Sequence, residues 1–163
     1  MRAVIQRVSQ AQVIVKDEVV ARIGPGMLVL LGIARDDEQG DAEYLAQKIA
    51  NLRIFDIPSA AEPNYSDSGE TLDARAMNFS LGHGRSVLVV SQFTLCGDVR
   101  RGRRPSFDRA APAADARKLY DYFLGLLRAA GVKCESGRFQ EMMTIALLND
   151  GPVTILLDSH KEF

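Results

Sequence analysis

Met27-Leu28-Val29-Leu30-Leu31-Gly32-Ile33 is apolar at every position. A strand with one wet face alternates apolar and polar residues, so an unbroken run of this kind predicts a strand covered on both faces. The sequence before it supplies neighbours. Residues 4–8 and 11–15 are rich in β-formers, Lys16-Asp17-Glu18 makes a polar turn into 19–23, and Gly24-Pro25-Gly26 punctuates the entry to the apolar run. After it, Asp36-Asp37-Glu38 forms an acidic helix start, and Ala42, Leu45, Ala46, Ile49 and Leu52 recur at helical spacing. A second helix follows Pro112, with Leu119, Tyr122, Phe123, Leu126 and Leu127 on one face and Gly131 placed to end it. Strands are expected near 132–135, 142–148 and 153–158. Many strands, tight N-terminal hairpins and only two helices predict an α+β fold rather than a doubly wound sheet.

The totals bound the function. A chain of 163 residues fits one domain, spanning 1–163, and can bury about two-thirds of its unfolded surface. A formal net charge of −1 excludes a strongly basic, salt-driven nucleic-acid binder, though not a local basic patch. No apolar run approaches the roughly 20 residues of a membrane span, and the first residues lack the apolar core of a signal peptide, so a cytoplasmic protein is expected. Cys96 and Cys134 have no Cys-x-x-Cys spacing and the only histidines are His83 and His160, so neither a metal nor a disulfide framework is expected.

Two short segments carry polar chemistry. Ser91-Gln92-Phe93-Thr94-Leu95 closes the apolar strand at 87–90 with two hydroxyls and an amide. Asn149-Asp150-Gly151-Pro152-Val153-Thr154 interrupts two β-competent runs with a Gly-Pro pair, which marks an edge, a corner or a hairpin turn. Glycine there also leaves main-chain carbonyls open to a ligand. Together the two segments resemble the D-aminoacyl-tRNA deacylase family. The resemblance is collinear over nearly the whole chain, through residues 1–8, Leu52-Arg53-Ile54-Phe55, residues 101–107 and Gly137-Arg138-Phe139.

The resemblance implies a small β-barrel-like body of mostly antiparallel strands with two flanking helices, assembled as a homodimer with a cross-subunit active site. It implies hydrolysis, without cofactor, of the ester joining a D-amino acid to the 3′ end of tRNA. The Gly151-Pro152 bond, cis in the family, would enter the partner's pocket and present carbonyls to the substrate Cα. Those carbonyls leave room for hydrogen but not for a side chain, so L-aminoacyl groups are excluded while glycyl-tRNA mischarged on other tRNAs is not. Asn149 and Thr154 flank that pair and support the motif. Arg7 resembles a first-strand arginine that holds the Gly-Pro segment; from its own neighbours, anchor and surface cation stay equally open.

The residues in the first motif receive distinct roles. Ser91 and Gln92 would orient the reacting carbonyl or the adenosine. Thr94 would need an activating base to act as a nucleophile, and neither histidine lies in the matching motifs, so it is read as a positioning group. Phe93 alternates to the opposite face from Gln92 and Thr94, and core packing is expected of it. Cys96 lacks a neighbouring base and reads as buried filler. Phe139 and Met143 resemble a segment lining the adenosine or aminoacyl pocket, although Gln140-Glu141-Met142 replaces the family's smaller residues there. Arg101, Arg103 and Arg104, with Arg100, form the dense basic cluster suited to tRNA phosphates; a solvated loop is the alternative. Residues 57–75 read as a surface-loop insertion. The rival function is a non-catalytic RNA- or protein-binding dimer on the same scaffold.

Overall fold

A strand of 14 residues, β1 (Arg2–Val15), organises the sheet because three other strands pair with it. The computed structural model describes residues 1–55, 79–82 and 84–162; the expected insertion at 57–75, and His83, lie outside them. The remaining elements are β2 (Glu18–Ile23), β3 (Gly26–Gly32), α1 (Gln39–Asn51), β4 (Ser86–Ser91), α2 (Ala113–Ala129), β5 (Lys133–Ser136) and β6 (Thr144–Asp158). Strand order is β2-β1-β3-β4-β5, with β6 on the other side of β1. The β1–β2, β1–β3 and β1–β6 pairs are antiparallel, whereas β3–β4 and β4–β5 are parallel. The result is a mixed, barrel-like sheet with two helices, an α+β arrangement whose parallel half the strand pattern alone did not predict.

Local chemistry explains the elements. Lys16 and Asp17 both adopt positive φ (49° and 67°), the geometry whose twist matches a tight hairpin between β1 and β2. Gly26 pairs with Ser86 so closely that a Cβ would lie 1.8 Å from the Ser86 carbonyl oxygen, which restricts that site to glycine. At α1, Glu38 and Asp41 exchange side-chain and backbone hydrogen bonds in a capping box. In α2 the residues facing inward are Tyr120, Phe123, Leu124 and Leu127, with Leu119, Tyr122 and Leu126 only partly covered. The buried face is thus turned slightly from the one read in the sequence. Gly131 follows the helix at φ 79°, as its expected stop.

Two cores lie on opposite faces of β3 and β4. Met27, Val29, Leu31, Val87 and Val89 pack beneath the helices, while Leu28, Leu88 and Val90 join Val8, Val13 and Ile23 where the sheet curls over itself. That double burial is what the apolar run required. Strand β1 serves both cores by changing parity. Ala3 and Ile5 face the helices, but Ala11, Val13 and Val15 face the second core, because the register against β6 shifts between Val8 and Gln10.

The expected break at the Gly-Pro pair is corrected. Residues 142–148 and 153–158 are not separate strands around a hairpin; β6 runs continuously from Thr144 to Asp158 and both halves pair with β1. Gln6 pairs with Thr154 and Val8 with Asn149, so residues 150–153 bulge opposite Arg7 alone. The local signals were those of a turn, but β1 is long enough to receive both sides of the bulge.

The chain's first residue is also locked in. The Met1 ammonium is fully buried against the Asp37 carboxylate and also donates to Ser159 Oγ. Among the described residues, no helix is long and apolar enough to cross a membrane. Phe123 is 0% exposed between the helices and the sheet. Replacing it with alanine should cost about 3–5 kcal/mol, whereas Val19→Ala on the half-exposed hairpin should stay within about 0.5 kcal/mol. Urea unfolding midpoints at constant slope are the measurement.

Candidate active site

Strand β4 ends at Ser91, and the chain bends at once into a 3-10 turn, Phe93–Cys96. Gln92 N–H still donates to the Leu31 carbonyl (2.8 Å), prolonging the parallel pairing by one residue. Its own φ and ψ of −142° and 81° then take the backbone out of the strand. Inside the turn, Leu95 N–H donates to Gln92 O and Gly97 N–H to Thr94 O. The N–H groups of Phe93 and Thr94 open the turn and therefore have no carbonyl within it to bind. Gln92 Nε2 donates to Thr94 Oγ1 at 2.5 Å, tying the amide and the hydroxyl together.

This bend corrects the expectation for Phe93. Strict alternation would have buried it, but the strand has already ended, and Phe93 is 58% exposed. Its ring packs edge-to-face on Phe107, with centroids 5.1 Å apart. The ring of Phe107 also lies where a Cβ on Gly97 would come within 3.1 Å.

A cleft of about 600 Å³ opens beside the turn. Ser91, Gln92 and Phe93 line it from one segment, and Phe139 and Met143 from another, so the structure brings these five sequence candidates together. The ends of β3 and β4 contribute Leu31 and Val90. Phe139 is held from behind by Tyr120, with ring centroids 5.5 Å apart, and Arg117 places its guanidinium 5.4 Å from the Phe139 centroid. Tyr120 donates its hydroxyl to Val89 O (2.9 Å), and burial pushes its pKa well above the ordinary phenol range.

The other candidates lie elsewhere. Gly151 and Pro152 are exposed, joined by a cis peptide bond, and outside the lining of this cleft. Asn149 and Thr154 are exposed at the two feet of the bulge. Arg7 is buried, 7% exposed, and its guanidinium donates to the carbonyls of Asp150 (3.1 Å) and Ile54 (2.6 Å). It also lies 3.2 Å from the Asp150 carboxylate. The arginine therefore grips the bulge at its first residue; the surface-cation alternative does not describe it.

Arg101, Arg103 and Arg104 are exposed on a loop closed by the Asp98–Ser106 bridge. Arg100 is engaged differently. Its guanidinium binds both Asp98 oxygens, and those hydrogen bonds hold the Asp98 carboxyl far below the usual carboxylate range. Cys96 is 2% exposed, and burial, assisted by the Asp37 charge, pushes its thiol pKa up, the opposite of an activated nucleophile.

Among the described residues, Asp36, Asp37 and His160 place ligand atoms within 4.8 Å of one another. Asp37 already accepts from the Met1 ammonium and from Ala34 N–H (2.6 Å), while His160 Nε2 lies 3.1 Å from it. A cation there would compete with the chain's own ammonium.

Sequence reasoning missed the cleft's small residues Ala110, Ala111, Ala113 and Ala116, and assigned no role to Phe107. The dense run of alanines around Pro112 was the available signal, since small side chains on a helix start leave room for a ligand.

Known proteins share this architecture and its sequence. A family model described as D-Tyr-tRNA(Tyr) deacylase matches residues 4–158. The D-aminoacyl-tRNA deacylase of Koribacter versatilis is 52% identical over 163 residues, covering 100% of both chains. That of Thermotoga petrophila is 48% identical over the same length, again covering 100% of both. A solved structure described as a c-Myc DNA Unwinding Element Binding Protein is 36% identical, with a TM-score of 0.82, and covers 97% of this chain and 98% of its own. A probable eukaryotic D-amino acid tRNA deacylase, 19% identical with a TM-score of 0.74, shares the fold over 96% of this chain and 97% of its own. With a family model spanning most of its length and half its residues identical to full-length relatives, the chain belongs to the D-aminoacyl-tRNA deacylase family, hydrolases that act on tRNA.

Proposed function

We propose that this protein removes D-amino acids from mischarged tRNA in the cytoplasm by hydrolysing the ester to the 3′-terminal adenosine, with glycyl-tRNA mischarged on other tRNAs also accepted. The observation that carries this reading is the turn after β4, which sets Ser91, Gln92 and Phe93 on the wall of an apolar cleft and begins with the Phe93 and Thr94 N–H groups, unpaired within the turn. Ester hydrolysis needs donors fixed where negative charge develops, and two adjacent backbone N–H groups on a rigid turn meet that need. Water adds to the ester carbonyl, the oxyanion is held by these donors, and the bond to the ribose oxygen breaks as that oxygen takes a proton. A neighbouring ribose hydroxyl of the substrate serves as the proton relay.

Thr94 works by position. Its hydroxyl accepts the Gln92 amide hydrogen, and His160, the imidazole among the described residues, is held at Asp37. Gln92 is thereby oriented toward one rotamer, with Ser91 beside it in the cleft lining. Phe139 and Met143 cover the apolar part of the substrate.

Stereochemical selection falls to Gly151 and Pro152, with Asn149 and Thr154 framing the bulge. The pair is exposed and outside its own chain's cleft, which supports a homodimer in which each bulge enters the partner's site. Carbonyls set against the substrate Cα admit hydrogen and reject a side chain, so L-aminoacyl esters are refused by exclusion. Arg7, gripping Asp150, keeps those carbonyls in place. The exposed Arg101, Arg103 and Arg104 would meet acceptor-stem phosphates.

One observation favours a second reading, a nucleic-acid binder without chemistry: a relative 36% identical bears a DNA-binding description. Turnover separates the two. Purified protein should release amino acid from a D-aminoacyl-tRNA and leave the L counterpart intact, whereas a pure binder retains both. Arg7→Ala should lower the ratio of D to L hydrolysis by about tenfold or more, the equivalent of roughly 1.4 kcal/mol of lost discrimination; an unchanged ratio in a folded variant removes the bulge from the selection.

Thr94→Ala and Cys96→Ala should each retain activity well above the loss of about 10²–10³ that accompanies removal of an oxyanion donor. Trapping an acyl-enzyme on either residue would instead establish covalent catalysis.

Replacing Arg101, Arg103 and Arg104 together with alanine should weaken tRNA binding and flatten its salt dependence, by about 0.7–0.9 in log–log slope for each phosphate no longer neutralised. Binding titrations between low and moderate salt would read this slope directly, and an unaltered slope would reassign the arginines to the protein's own fold or assembly.

A further inference from the structure

Strand β3 ends at Gly32, and the turn that follows β4 sits on it. A Cβ added to Gly32 would come 2.8 Å from Leu95 Cβ and 3.1 Å from the Gln92 carbonyl oxygen. The glycine belongs to a row across three strands, because Arg2 pairs with Gly32 on one side and with Asp158 on the other. Antiparallel partners send their side chains to the same face, so the Arg2 side chain can pass over the bare glycine to the turn. Its Nη1 donates to the Leu95 carbonyl oxygen (3.2 Å). If the 3-10 turn continued, the Asp98 N–H would serve that carbonyl, but it donates to Ser106 O instead (2.8 Å). Arg2 thus supplies the bond that the turn's own backbone withholds. The guanidinium is itself held. Its Nε donates to Asp158 Oδ2 (2.9 Å), on a side chain only 2% exposed. Its Nη2 donates to Glu162, which also accepts from Arg109 (2.8 Å).

Taking the proposed deacylation as its basis, we infer that Arg2 is a positioning residue for that reaction: by gripping the Leu95 carbonyl, it fixes the turn whose Phe93 and Thr94 N–H groups receive the oxyanion. Among the described residues, the cleft lining contains neither Arg2 nor Leu95, so Arg2 acts through the turn and not on the substrate. The turn is only four residues long, and its peptide planes are linked by Leu95 N–H to Gln92 O and Gly97 N–H to Thr94 O. A rotation of the Leu95 peptide is therefore passed to the planes before it. The Gly32 contact blocks movement of the turn toward β3, and the Arg2 hydrogen bond resists movement away. Oxyanion stabilisation depends on donors that are in place before the reaction. The bulge at Gly151-Pro152 is held separately, by Arg7 on the same strand. The two arginines of β1 should therefore separate in kinetics, Arg7 acting on the choice between D and L esters and Arg2 on the rate of the chemical step.

The test is single-turnover hydrolysis of D-tyrosyl-tRNA and L-tyrosyl-tRNA over a range of enzyme concentrations, for wild type, Arg2→Met, Arg2→Lys and the double variant Arg2→Met with Asp158→Asn. Arg2→Met strands a buried carboxylate; the double variant removes that charge and keeps the comparison available if the single variant unfolds. At saturating enzyme, the D-tyrosyl rate should fall about 10- to 100-fold in the folded variants without the guanidinium, the scale of a misplaced rather than a missing donor. The half-saturating concentration should stay near the wild-type value, and the L ester should remain refused. Arg2→Lys, which keeps a charged donor, should recover most of the rate. A folded variant without the guanidinium that matches wild type at saturation overturns the inference. So does a loss confined to the half-saturating concentration, or one accompanied by hydrolysis of the L ester, which general loosening of the strands would produce. If wild type hydrolyses no D-ester, the proposed function itself fails and takes the role of Arg2 with it; an active enzyme indifferent to Arg2 fails only the latter.

Discussion

The pairing of β1 with β6 is the constraint on which this molecule is built. Strand β1 lends one edge to β3 and then β2, and the other edge, along nearly its full length, to β6. Neither long strand is regular. Ser9 is extra on β1, and on β6 the four residues 150–153 stand opposite Arg7 alone, so the ladder must slip twice. Slipping by one residue exchanges the faces of a strand. That exchange lets β1 serve the helical core with Ala3 and Ile5 and the curled core with Ala11, Val13 and Val15. The same ladder carries the exposed Gly151-Pro152 bulge, held by Arg7 from directly opposite. A flexible loop could carry the same residues, but not in a register fixed by the core.

The cleft owes its place to the parallel part of the sheet. Strands β3 and β4 run side by side and end together, and among the described residues no strand continues the sheet beyond their C-terminal ends. The chain's bend at Gln92 occupies that edge, with Ser91, Gln92 and Phe93 on the cleft wall beside the apolar Leu31 and Val90. Ligand crevices at such carboxyl ends are a general property of parallel strands. The basic loop at 98–106 is joined to the same bend, since Phe107 packs against Phe93 and closely approaches Gly97. Movement of one therefore bears on the other.

Much of this was legible in residue order because short-range physics dominated. The hairpin at Lys16-Asp17, the acidic cap at Glu38 and the stop at Gly131 are local devices, and both helices appeared where their periodicity placed them. The doubly buried β3 was readable from its lack of polar side chains. What escaped needed a partner. The break at Gly151-Pro152 reads as a turn in isolation, and only the matching length of β1 shows that the strand resumes in register. Phe93 escaped for the same reason at smaller scale: alternation holds while a strand lasts, and nothing in its neighbours announces that the strand stops one residue earlier. In the cleft, Ser91, Gln92, Phe139 and Met143 converge although more than forty residues separate the two segments. Resemblance grouped them; spacing could not.

A buried terminus also changes the chemistry of the chain as a reagent. The α-amino group is ordinarily the softest target for acylating labels near neutral pH, because it loses its proton more readily than lysine does. Here it is enclosed with Asp37, while Lys118 is open to solvent on the surface of α2. Acylation should therefore mark lysines on every molecule and the terminus only on molecules whose first strand has come away from the sheet. The fraction labelled at Met1 becomes a count of opened barrels, taken without any change to the sequence.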